Sequence, residues 1–168
     1  MIDKILILIL LSSVPFLELR WAIPIGVLNS VENVPVLGSV QGLGMPVLEV
    51  FIVCVLANIA AGIIVYFFVD KILFVFLKIN WIKKQYEKIV LRTQRNSRKL
   101  IEKYGVIGLA LFISIPLPGT GAWTGALIGN LLGTGYKKFF VAEIIGVTIA
   151  GIIVTVFTVG LFSLFGFM

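Results

Sequence analysis

Residues 116–135 read PLPGTGAWTGALIGNLLGTG, a proline- and glycine-broken run set between the apolar segment 105–115 and another that begins at Phe139. A chain inside a bilayer must satisfy its own backbone N–H and C=O groups. Irregular backbone at that depth is tolerated only where protein or a watery cavity covers it. Broken helices of this kind mark the binding sites of many transporters. A second interrupted stretch, PFLELRWAIPIG at 15–26, carries Glu18 and Arg20 between Pro15 and Pro24. Together the two stretches point to membrane transport and to where its site lies.

Composition supports the membrane setting. The chain is 60% hydrophobic and 13% charged, whereas soluble domains are nearer half apolar and a quarter charged. One small membrane domain is expected over 1–168. Its first half is 1–70, a linker covers 71–104, and its second half is 105–168. A bundle this small is expected to form a homo-oligomer, a dimer or higher, to enclose a polar pathway. Ten of the fourteen basic residues lie between Lys71 and Lys103, opposed there only by Asp70, Glu87 and Glu102. Apolar spans flank this block on both sides, so it does not read as a nucleic-acid surface. The positive-inside rule places it in the cytoplasm, where it can touch anionic lipid headgroups. With Cys54 the single cysteine and no histidine, no disulfide framework or metal site is expected, no cofactor is implied, and the commonest general base is missing. The chain does not read as an enzyme. The first residues, MIDKILILILLSSV, have the length of a signal-peptide core but lack a strong basic start and a clean cleavage site, so no cleavage is expected.

Four apolar segments stand out: Ile5 to about Leu28 broken at Pro15–Pro24, Val47–Val69, Val106–Leu132 broken at Pro116–Gly121, and Phe139–Phe167. The second and fourth are long enough to span a core of about 30 Å. Neither Gly nor Pro occurs from Ile63 to Tyr104, so the second span is expected to continue as helix beyond the membrane. Over 80–104, Ile82, Tyr86, Ile89, Thr93, Ser97, Leu100 and Tyr104 recur at helical spacing. This predicts an amphipathic cytoplasmic helix that lies on the membrane or the bundle, or serves as a plain solvated linker. The pentapeptide AGIIV occurs at 61–65 and again at 150–154, each time after a proline-broken segment. This order suggests an internal repeat.

Lys137 and Lys138 choose between topologies. If segment 106–132 enters and returns as a re-entrant hairpin, these lysines stay cytoplasmic with the main basic block. By symmetry the first segment is then a hairpin from outside, one full crossing follows in each half, and the halves are inverted. Four plain spans with both ends inside is the alternative.

The candidate site residues follow from this frame. Ionisable side chains inside a membrane are costly and usually functional. In an extended break Glu18 and Arg20 would project alike. Arg20 suits a phosphate or carboxylate, and Glu18 can pair with it, carry a proton or attract a cation. The competing reading makes the pair an anchor at the hairpin mouth. In the second break, Pro116, Pro118, Gly119, Thr120 and Gly121 precede a helix start whose free N–H groups can hold an anion, with Thr120 as cap or ligand. The same residues also serve as a simple turn. Gly121, Gly125, Gly129 and Gly133 fall on one helix face and favour close packing. Ala57/Ala61 and Gly146/Ala150 are candidates for the same role. Asn58 reads first as a helix–helix hydrogen bond. Glu49 and Glu143 read first as solvated residues near span ends.

The pattern P-x-x-E-x-R-x-A-I-P-x-G at 15–26, together with F-x-x-x-P-L-P-G-T-G-A-W-x-G at 112–125, resembles the small multidrug export family of bacteria and archaea. That resemblance covers nearly the whole chain and implies membrane transport. A more distant similarity is to the DedA/VTT superfamily, whose members look built from two inverted halves, each a re-entrant hairpin followed by a membrane helix. Some are linked to movement of lipids, including polyprenyl-phosphate carriers. By that similarity Glu18 and Arg20 match the acidic and basic hairpin residues. Pro24 and Gly26 of the first motif are also candidate substrate-site residues. The second hairpin departs from the pattern, having no arginine.

The expectation is thus an all-α integral membrane protein, multi-pass in the cell membrane, with lipids as partners. It is expected to translocate a small or lipidic substrate whose anionic headgroup sits between Arg20 and the helix start at Thr120–Gly121, with Glu18 available for proton coupling. Export of amphipathic cations, with Glu18 as the anionic site, is the runner-up. A structural protein that recruits partners through 80–104 is the third reading.

Overall fold

The computed structural model describes residues 2–29, 31–34, 38–76, 105–117 and 119–165. Six helices and one short strand pair stand among them. Helix α1 is Ile2–Ser13, α2 is Glu18–Val27, α3 is Val47–Phe76, α4 is Val106–Ser114, α5 is Ala122–Leu131 and α6 is Tyr136–Phe165. The expected cytoplasmic helix over 80–104 lies outside the described residues.

Helix length separates two kinds of element. At 1.5 Å per residue, α3 and α6 are each about 45 Å long, ample for an apolar core of about 30 Å. Both are apolar enough to cross a membrane, over Val47–Val69 and Tyr136–Leu161. Leu48, Ile52, Leu56, Ile64, Phe67 and Phe68 stay exposed along α3, as do Ile145, Ile149, Ile152, Val156 and Phe157 along α6. Contiguous apolar surface of that kind is suited to lipid. By contrast, α1, α2, α4 and α5 have 12, 10, 9 and 10 residues. None reaches more than about 18 Å, so none crosses the core alone. α1 packs on α2 and α4 packs on α5, giving two short-legged helical hairpins.

The first hairpin differs from expectation. Its irregular part is confined to Val14–Leu17, and helix resumes at Glu18 and runs through Pro24. Proline has no N–H for the carbonyl four residues back, which here is that of Arg20, but its fixed φ remains compatible with helix. The helix therefore continues where an extended break was expected. A two-stranded antiparallel ladder, β1 (Val31–Val34) with β2 (Gly38–Gln41), follows it. This element departs from an all-α reading. Its signal was present as two short valine-bearing runs around Pro35 and Gly38.

The described chain divides into two compact units, each containing one hairpin. Unit 1 is Met1–Ala60 with Thr148–Met168. In it, Gly26 of α2 has no room for a side chain: a Cβ there would stand 2.6 Å from Val50 Cγ1 and 3.0 Å from Leu8 Cδ2. Gly151 of α6 similarly faces Val55 and Phe51. The last carbonyls of α2 are taken up by the loop before α3. Leu43 N–H donates to Ile25 O (2.9 Å), Met45 N–H to Gly26 O (2.9 Å) and Gly44 N–H to Leu28 O (2.7 Å). Helix-end carbonyls need such partners.

Unit 2 is Ala61–Val147. Gly129 of α5 faces Phe139 Cδ2 at 3.0 Å and Leu109 Cδ2 at 3.4 Å, and Gly146 of α6 faces Ile113 and the carbonyl of Ala110. Gly125 also packs on Ile113. The expected small-residue face of α5 is therefore a packing face at Gly125 and Gly129. Gly133, in contrast, ends the helix at φ +61 with open space around it, the left-handed C-terminal role typical of glycine. Tyr66 of α3 stacks on Phe139 with ring centroids 4.4 Å apart, and Asn130 Nδ2 donates to Tyr66 O (3.1 Å).

The two halves of the chain correspond in order and length. α3 and α6 both have 30 residues, and a shift of 89 positions carries Val47–Phe76 onto Tyr136–Phe165, as it carries AGIIV at 61 onto AGIIV at 150. The same shift relates Val50 to Phe139, the residues that face Gly26 and Gly129. A shift of 103 carries Gly26 onto Gly129 and Pro15 onto Pro118. It also carries Phe16 and Glu18, the two non-glycine residues of positive φ among the described residues (71° and 48°), onto Gly119 and Gly121 (91° and 105°).

Candidate functional site

The first polar site lies at the start of α2. Glu18 is 3% exposed, and its Oε2 is 3.7 Å from Arg20 Nη2. Side chains two apart in regular helix point to different faces. The left-handed φ of Glu18 takes its side chain off that regular path, so the pair forms at a helix start and needs no extended strand. A non-glycine residue in that region costs on the order of 1–3 kcal/mol, and such strain clusters at functional sites. Pro24 lies in the body of the same helix, and Gly26 is the close-packing position against α3. Neither brings a polar side chain to the pair.

Further along unit 1, Ser12, Cys54 and Asn58 are buried at 0%, 0% and 1% exposure. The Oδ1 of Asn58 accepts no hydrogen bond, so the expected interhelical bond is not made through that oxygen.

The second polar site lies in unit 2. α4 ends at Ser114, whose hydroxyl donates back to Leu111 O (2.8 Å). The break runs to Gly121. Pro116 and Gly119 lie in it, and Pro118 falls outside the described residues. The Thr120 hydroxyl donates to Leu117 O (2.7 Å) and to Ile115 O, while Leu117 N–H donates to Thr120 Oγ1 (3.2 Å). Thr120 therefore ties the turn together. The N-cap of α5 is Gly121, which has no side chain to cap with.

The group that meets the start of α5 comes from α6. Glu143 is 0% exposed, although its place near a span end suggested solvation. Its carboxyl group fits where α3 carries Gly62. A Cβ at Gly62 would fall on Oε1, 2.7 Å from Cδ and 3.3 Å from Ala122 Cβ, and a Cβ at Gly125 would stand 3.8 Å from Oε2. Ala122 and Gly125 form the first turn of α5, whose leading N–H groups have no partner within the helix. The positive end of that helix favours a carboxylate there. The anion beside this helix start is thus the protein's own. The sequence signal that could have found it is Gly62, the glycine of the first AGIIV copy. Glu49, the other acidic candidate, is exposed as expected.

Two helices long and apolar enough to cross a membrane, two short-legged hairpins and a buried carboxyl group in each unit suit a membrane protein. More particularly, the chain belongs to the family described as "Putative small multi-drug export protein", which it matches over residues 18–153, from the Glu18–Arg20 turn to the second AGIIV. No curated protein and no solved structure matches it.

Proposed function

We propose that this chain is a small multi-pass transporter of the cell membrane that moves a small or lipidic substrate with an anionic headgroup, with Arg20 as the anion contact. The observation that carries this reading is the Glu18–Arg20 pair. It is nearly withdrawn from solvent and set 3.7 Å apart at the turn of a hairpin whose legs are too short to cross. Intramembrane ionisable residues mark substrate and ion pathways, and the guanidinium fork suits phosphate and carboxylate groups. The left-handed backbone at Glu18, where the matching turn has Gly121, argues that the side chain is kept in spite of its conformational cost.

In this reading both hairpins re-enter, the first from outside and the second from the cytoplasm. α3 runs inward, α6 runs outward, residues 71–104 are cytoplasmic, and the halves are inverted in the manner of many transporters. The leg lengths, the two fixed shifts between halves, and the exposed basic Lys137 and Lys138 in the first turn of α6 support it. Likeness to the DedA/VTT superfamily belongs to the same reading. Lipids are its immediate partners, and a homo-oligomer would enclose the pathway.

Export of amphipathic cations is the second reading. The family's description favours it, with Glu18 as the cation contact. Purified protein in vesicles of phosphatidylethanolamine and phosphatidylglycerol separates the two. Fluorescent phosphatidylglycerol reports leaflet exchange and ethidium reports cation efflux. Lipid exchange lost in Arg20→Gln supports the first reading. Ethidium efflux that survives Arg20→Gln and is lost in Glu18→Gln supports the second. Movement of neither probe by folded wild-type protein overturns both and leaves a structural role.

A further inference from the structure

The geometry points to Glu143 as a proton-binding site, the carrier of the coupling proton in the proposed transporter. The inference deepens the transport reading, and it rests on a group that reading has not used. Glu143 is a fully buried carboxyl group in the apolar span Tyr136–Leu161. An ionised side chain there is costly, and such residues in membrane helices act as proton relays in pumps and transporters. One glycine leaves space for this group. Gly62 on α3 excludes any side chain, since its Cβ would clash with Oε1, while a Cβ at Gly125 on α5 would stand 3.8 Å from Oε2.

The surroundings decide which ion it takes. α4 and α5 carry no titratable side chain. On α3, Tyr66 stands one turn past Gly62 and is occupied in stacking on Phe139, with Asp70 and Lys71 further along the same helix. On α6 itself, Tyr136, Lys137 and Lys138 lie in the exposed first turn. The carboxyl group stands against Gly62 of α3 and near Gly125 in the first turn of α5. Among the described residues no cluster of carboxylate, cysteine or histidine side chains stands there to ligate a metal ion, so the ligand that fits is a proton.

The step is a simple one. A proton adds to one carboxylate oxygen of Glu143, giving a neutral carboxylic acid, and later leaves the same oxygen. The ionised form is attracted to the α5 helix start and the neutral form is not. Each protonation therefore loosens the hold of α6 on the second hairpin, and each release restores it. This gives a two-state element that a proton gradient can bias.

Infrared difference spectroscopy of the full chain in vesicles of phosphatidylethanolamine and phosphatidylglycerol, titrated with acid and base, tests this directly. Eight carboxyl side chains contribute, so the readout is the difference between variants. The wild-type spectra are expected to hold a titrating protonated-carboxyl C=O component that is missing from Glu143→Gln, shifted in Glu143→Asp and kept in Glu49→Gln. Titrating spectra that are the same in wild type and Glu143→Gln overturn the inference. In the same vesicles, loss of pH-driven movement of ethidium or labelled lipid in Glu143→Gln, with downhill movement kept, supports the coupling role. Equal pH-driven movement in wild type and Glu143→Gln overturns that role while transport stands. A band that titrates at Glu143 while neither probe moves leaves the proton site standing and removes the transport reading.

Discussion

Gly62→Ala tests the Glu143 geometry with a single methyl group. The added Cβ would overlap Oε1 of Glu143 and lie 2.7 Å from its carboxyl carbon, so the carboxyl group has to move. Overpacking of a close-packed interior costs about 1–3 kcal/mol. Displacing a carboxylate from a helix start costs roughly 0.3–1 kcal/mol more, or up to about 2 kcal/mol when it is buried. Gly62→Ala alone is therefore expected to destabilise the protein by about 2–4 kcal/mol. Glu143→Ala removes the obstructing group. In that background the nearest remaining neighbour of the new methyl is Ala122 Cβ at 3.3 Å, a tight contact that small shifts relieve, and the penalty is expected to fall to about 1 kcal/mol or less. Detergent unfolding of the wild type, both single variants and the double variant closes a double-mutant cycle. The expected coupling is about 2 kcal/mol. Additivity within about 0.5 kcal/mol, the level typical of independent sites, would refute the idea that Gly62 is glycine because of Glu143.

Other outcomes follow from the same structure. Phe16 is 81% exposed and has φ 71°, so Phe16→Gly is expected to stabilise the first hairpin by roughly 1 kcal/mol in thermal unfolding. Thr120→Val removes the hydroxyl bonds to Ile115 and Leu117 and is expected to cost about 1–2 kcal/mol in the same assay. Gly26→Val drives methyl groups into Val50 and Leu8, and is expected to lower the yield of folded, monodisperse protein sharply, where Gly133→Ala, in open space, costs mainly its left-handed φ. In a Cys54→Ser background, single cysteines at 3 and 36 are expected to label from outside, and those at 90 and 137 from the cytoplasm. External labelling at 137 would remove the re-entrant topology of the second hairpin.

Much of the fold was legible because a bilayer restricts the choices. Apolar length alone located α3 and α6 to within a few residues, since a span must be both long and uncharged. Pro116–Gly121 was read correctly as the break between α4 and α5, because Pro and Gly together remove donors and left-handed penalties from the backbone. Pro15–Pro24 was read as one long break, but only Val14–Leu17 is irregular. Proline is compatible with helical φ, and neighbouring structure decides whether the helix survives it. The β1–β2 ladder was missed because two strands of four residues carry little periodicity beside long apolar runs.

The sequence by itself determined the apolar character of the chain, the two helices of spanning length, the paired interruptions and the polar residues worth attention. These depend on local composition and on the distance a helix must cover. Only the tertiary structure decided which of those polar residues are withdrawn from water and what each one faces. Glu49 and Glu143 looked alike along the chain, yet one is exposed and the other lies buried against Gly62 and the first turn of α5. The difference arises because burial is set by which neighbouring helix lacks a Cβ at the point of contact, and that pairing joins residues some eighty positions apart.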